Sequence, residues 1–126
     1  MITGIYAALL GLLFVILSIR TIKSRRRNNI ALGYGDAPDL VRAARVHANF
    51  AEYVPLALLL LYFLELSPAP GGLMHGLGIV LLASRIVHAY GVSQIDEDIR
   101  FRVAGMSGTF AVIVVASLGI LVYRLI

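Results

Sequence analysis

Apolar positions in this chain fall in long blocks. "ITGIYAALLGLLFVILSI", Ile2 to Ile19, carries no charge before Arg20. A second block runs from about Val41 to Leu66, polar at its start and uninterrupted from Val54 to Leu64. "SPAPGG", Ser67 to Gly72, punctuates the chain as a turn. A third block covers about Leu73 to Val92, and "SQIDEDIRFR" separates it from a fourth, about Val103 to Tyr123. A bilayer core of about 30 Å takes about 20 apolar residues in a helix. The pattern therefore predicts four transmembrane helices, spanning about 2–19, 41–66, 73–92 and 103–123. No strand alternation or internal repeat competes with that reading. The expected fold class is an all-α membrane protein, a four-transmembrane-helix bundle forming one domain over residues 1–126.

Composition agrees. Hydrophobic residues make up 60% of the chain and charged ones 14%, far from soluble usage. The absence of cysteine excludes disulfides, thiolate metal sites and a protein thiol nucleophile, so any thiol chemistry uses a thiol brought by a ligand. Charge position then sets the topology. The cluster "RTIKSRRRNN", Arg20 to Asn29, follows the first apolar block, which argues for a span and against a cleaved leader. By the positive-inside rule it holds the first connection in the cytoplasm, with both termini outside. Arg25, Arg26 and Arg27 read most simply as topology signals and lipid-headgroup contacts. "SRRRNN" is too short and too close to the membrane to suggest nucleic acid.

The polar residues inside the spans carry the chemistry. Residues three and four apart share a helix face, so Arg42, Arg45, Asn49 and Glu52 form a stripe down the second helix, with Tyr53 beside it. From Arg45 to Glu52 the stripe covers roughly 10 Å. Arg85 and His88, with Tyr90 nearby, reach the same end from the third helix. Arg20 ends the first helix there, and Arg102 opens the fourth. A central charged residue costs about 2.5–3.5 kcal/mol to insert, so Glu52 is expected to face helices or water and to meet an arginine. Structural readings stand beside this one: Arg45–Glu52 as an interhelical pair, His88 as an interfacial histidine, His47 and His75 as incidental. Gly105 and Gly108 read as close helix packing. Asp96, Glu97 and Asp98 read as a solvated loop that caps the next helix. The histidines are scattered and no metal site is expected. What remains is an arginine-rich, amide-containing pocket for a small anion, and glutathione, a zwitterionic dicarboxylate, satisfies that set.

"RVHANFAEYVP", Arg45 to Pro55, resembles the second-helix signature of the MAPEG family, the membrane-associated proteins of eicosanoid and glutathione metabolism. "SRIVHAYG", Ser84 to Gly91, is similar to the end of that family's third helix. The resemblance covers nearly the whole chain. It implies a homotrimer in a bacterial inner membrane, with glutathione sites between subunits near the cytoplasmic surface. It also implies that Arg20, Arg45, Asn49, Glu52, Tyr53, Arg85, His88 and Tyr90 bind glutathione. The thiol-activating arginine matches Arg102, or alternatively Arg100. Two features depart from the pattern: the "IDED" loop before Arg102, and Val92 where a second tyrosine is expected. The implied activity is glutathione transfer or peroxide reduction on a lipophilic electrophile, such as an epoxide, an aryl halide or a lipid hydroperoxide. The alternative is a non-catalytic lipid- or ligand-binding scaffold of the same fold. A small multidrug transporter fits less well, since the first helix has no ionisable group before Arg20.

Overall fold

The computed structural model describes all 126 residues and contains four helices: α1 (Ile2–Asn28), α2 (Pro38–Glu65), α3 (Gly71–Ser93) and α4 (Ile99–Leu125). All four are long and apolar enough to cross a membrane. Their ends follow local chemistry. α1 continues past its apolar block through the arginine cluster and stops at Asn29, which adopts the left-handed conformation (φ 57°) that asparagine tolerates. Pro38 occupies the first turn of α2, where a missing N–H costs nothing. Asp98 caps α4, its side chain accepting from the Arg100 N–H at 3.1 Å.

Consecutive helices run antiparallel. α2 and α3 each touch every other helix, while α1 and α4 flank them without meeting. On α2 the buried positions Ala43, Val46, Phe50, Val54, Ala57, Leu61 and Leu64 recur at three- and four-residue steps, one continuous inward face. From Val46 onward they pack against Leu10 and Leu17 of α1, Leu77 and Leu81 of α3, and Val112 and Ala116 of α4. Outside, Leu12, Ile16, Leu59, Ile79 and Leu118 lie exposed, as lipid-facing side chains should.

Lipid tails match leucine in polarity, so helix association rests on close packing and interhelical hydrogen bonds. The glycines of α4 supply the packing. A Cβ on Gly105 would come within 2.7 Å of the Ser84 carbonyl oxygen, and one on Gly108 within 1.9 Å of Ser84 Oγ. Hydrogen bonds join the other helices. His47 lies 3.0 Å from Ser18 Oγ and stacks on Phe14, consistent with a structural role. His75, expected to be incidental, instead bonds the Tyr6 hydroxyl at 2.9 Å and ties α3 to α1. At the same end the Glu65 carboxylate accepts the backbone N–H groups of Ile2 and Thr3, capping α1 from the end of α2. The opposite end, here the basic end, carries every arginine but Arg124.

Candidate functional site

A cavity of about 130 Å³ opens between α2, α3 and α4 at the basic end, walled by Arg45, Asn49, His88, Val92, Arg102 and Met106. A second, of about 300 Å³, adjoins it through Arg45, Val92 and Arg102 and reaches Arg42. The stripe on α2 thus meets the third and fourth helices at one level. Arg102 lies in the walls of both cavities. Arg100 lines neither; it is turned to solvent and grips Asp98 at 2.8 Å.

Behind the wall sits Arg85, only 1% exposed. Its position eight residues before the end of α3 puts it about 12 Å deep. Its partners are all uncharged in the sense that matters: none is a carboxylate. Nη2 donates to Asn49 Oδ1 at 2.6 Å and lies 3.5 Å from His88 Nδ1, while Nη1 reaches Thr109 Oγ1 at 3.4 Å. The Phe50 ring lies 5.8 Å from the guanidinium carbon, within cation–π range. Nε has no partner. A buried guanidinium without a counter-anion is costly and leaves positive potential at the cavity.

Several expected site residues lie elsewhere in the chain. Glu52 does not face the other helices. It is 53% exposed on the outer surface, and its closest approach to Arg45, equally exposed in the cavity wall, is a loose 3.9 Å. The reason is the α2 register: with Val46, Phe50, Val54 and Ala57 turned inward, positions 45 and 52 must turn outward. Tyr53 packs edge-on against Phe110. Tyr90 is exposed and packs on Phe101. Arg20 donates to Ser93 Oγ at 2.6 Å and lines a separate cleft with Ser24, Arg27 and Asp39.

The acidic loop is not simply solvated. Glu97, whose side chain is 11% exposed, accepts from Arg102 through both oxygens, Nε at 2.8 Å and Nη2 at 2.7 Å. Its Oε1 also accepts from Arg42 Nη1 at 2.8 Å. Burial alone would raise the Glu97 pKa, but the hydrogen bonds and charges of Arg42 and Arg102 outweigh it and hold the carboxyl below its ordinary value. Composition marked this loop as polar and no more. The available signal was positional: a carboxylate just before a helix cap can reach an arginine in that helix's first turn.

The fold and this site define a class: a four-helix integral membrane protein with an arginine-walled cavity at one end of the bundle. The MAPEG family model matches residues 3–122, and the chain belongs to the MAPEG family. It is 36% identical over 123 residues to the inner membrane protein YecN of Escherichia coli strain K12, covering 98% of this chain and 92% of that protein. YecN of Escherichia coli O6:H1 matches to the same extent. The four apolar helices and these relatives support an integral inner membrane protein.

Proposed function

We propose that the protein is a membrane glutathione-dependent transferase or peroxidase, acting as a homotrimer with its basic end in the cytoplasm. The observation that carries this reading is the excess of guanidinium over carboxylate at the cavity, with Arg85 buried behind it and lacking any acidic partner. A dicarboxylate ligand supplies the missing negative charge. Arg45 clamps a glutathione carboxylate, and Asn49 bonds its peptide. A second subunit over the outward face of α2 would cover Glu52, which otherwise meets lipid at high cost. Glu52 then accepts the ligand ammonium, while Arg20, Tyr53 and Tyr90 complete the site across the subunit boundary.

The chemistry follows from charge. A free thiol has a pKa of about 8.5, and adjacent arginine lowers it; each unit is worth about 1.4 kcal/mol. Arg102 stabilises the thiolate as its proton passes to water. For an epoxide in the bilayer, sulfur attacks a ring carbon. The C–S bond forms, the C–O bond breaks, and the released alkoxide takes a proton from water.

Titrating glutathione into detergent-solubilised protein while following thiolate absorbance tests this, with Arg102→Leu alongside. Binding at millimolar glutathione with a thiolate signal that Arg102→Leu abolishes is the expected result. Absence of binding at that concentration overturns it. One observation favours a second reading, a non-catalytic ligand-binding scaffold: Glu97 already neutralises Arg102. Binding without a thiolate signal would select it.

A further inference from the structure

We infer that Glu97 is the resident counter-anion of the Arg42–Arg102 pair, an acidic latch that an incoming anionic ligand has to displace. The inference rests on the anion-binding reading of the same cavity and deepens it. Three charges meet there. Glu97 Oε1 is shared by Arg42 Nη1 at 2.8 Å and Arg102 Nη2 at 2.7 Å, and Oε2 takes Arg102 Nε at 2.8 Å. Arg42 Nη1 is braced by the Val92 carbonyl oxygen at 3.0 Å, so both guanidinia are held toward one point. The carboxylate is the most secluded member of the trio, whereas the Arg102 side chain is 43% exposed in the cavity wall. An anion approaching through the cavity therefore finds an arginine whose Nε and Nη2 are already taken by a planar acid, the same geometry a ligand carboxylate would adopt.

The latch is built to let go. Residues 95–97 make no backbone–backbone hydrogen bond to the rest of the protein. The segment is anchored by the Glu97 side chain and by the Asp98 cap that follows it. Displacing Glu97 exchanges one anion for another on the same two arginines and breaks no helix. A fixed acid on these arginines also discriminates: a ligand that offers only weak acceptors cannot replace it, and an anion can. Glu97 is thus a positioning and gating residue for Arg102.

The test compares wild-type protein, Glu97→Gln, Glu97→Ala and Glu97→Asp, each full-length in detergent. Two measurements are made: affinity for reduced glutathione by calorimetry, and the rate at which phenylglyoxal modifies Arg102, followed by peptide mass without glutathione. Glu97→Gln and Glu97→Ala are expected to bind glutathione about tenfold more tightly, a change of about 1.4 kcal/mol. Arg102 should react several-fold faster in both, and Glu97→Asp should restore wild-type behaviour on both measures. Unchanged or weaker binding with unchanged Arg102 reactivity overturns the latch while leaving glutathione binding intact. Faster Arg102 reactivity in a protein that binds no glutathione supports the latch and removes glutathione as its ligand. If Gln and Ala both fail to fold and Asp alone folds, Glu97 is a structural brace and the inference fails.

Discussion

The two ends of the bundle are both polar, and they differ in whether their polar groups are matched. At the end carrying the chain termini, Glu65 closes the first turn of α1 and Tyr6 bonds His75. Glu65, Tyr6 and His75 each answer a neighbour within the chain, and among buried side-chain atoms there only Thr3 Oγ1 lacks a partner. At the basic end the ledger of charge does not close: Arg85 has no acid, Arg45 has one only at 3.9 Å, and the one secluded carboxylate serves two arginines. Matched polar groups at a helix end hold a fold together. Unmatched ones of a single sign define what the site is missing.

Removing Arg85 should separate the ends most sharply. Arg85→Met fills the volume with an apolar side chain of similar length. Replacing a buried charge in this way is often neutral or stabilising by about 1–4 kcal/mol. The variant is therefore expected to keep or raise its melting temperature while losing at least tenfold in glutathione affinity, read by calorimetry. A variant that melts much earlier yet binds normally would show that Arg85, like Glu65, serves only the fold.

Packing gives the next largest effect. Gly108→Val must push against Ser84, whose Oγ lies 1.9 Å from where even a Cβ would sit, whereas a Cβ on Gly4 meets nothing within 4 Å. Overpacking costs about 1–3 kcal/mol. Gly108→Val is expected to lower the melting temperature clearly, and Gly4→Ala to leave it unchanged. Equal behaviour of the two would mean that α3 and α4 are less tightly joined than the contact at Ser84 requires.

Glu65→Gln probes the matched end. It weakens the cap on Ile2 and Thr3, an effect on the order of 1 kcal/mol for an ordinary helix cap. The melting temperature should fall modestly with no change in glutathione affinity. A fall in affinity would break the division between the ends.

How much of this was legible in the sequence depends on which interaction fixed each residue. The four spans were, because apolar length is a property of each segment alone. So was the common level of Arg45, Asn49, His88 and Arg102, which follows from helical rise and antiparallel order. The outward turn of Glu52 was not. Periodicity places residues on one face but does not say which face is inward, and here Val46, Phe50 and Val54 won the interior. The pairing of Tyr6 with His75 and the grip of Glu97 on Arg42 and Arg102 were hidden for another reason. Tyr6–His75 and Arg42–Glu97 join residues far apart in sequence through side-chain reach, which no local pattern encodes; only the Glu97–Arg102 contact, five residues apart, left a local signal.

The smallest expected effect concerns acid. Glu97 titrates below its ordinary value of 4.5 because two arginines bond the ionised form. The unfolded chain therefore takes up the proton first as pH falls. Stability from this contact is complete above pH 4.5 and is lost as pH drops through the lower folded value. A partly exposed ion pair of this kind contributes about 1 kcal/mol or less. Wild-type protein should melt slightly above Glu97→Gln at neutral pH, and the gap should close as the solution is acidified below 4.5. Glu65→Ala, compared over the same range, reports on a carboxylate held by backbone N–H groups instead of arginines. If the Glu97→Gln gap persists unchanged into acid, the contact at the basic end depends on shape and not on charge, and the difference between the two ends narrows to geometry.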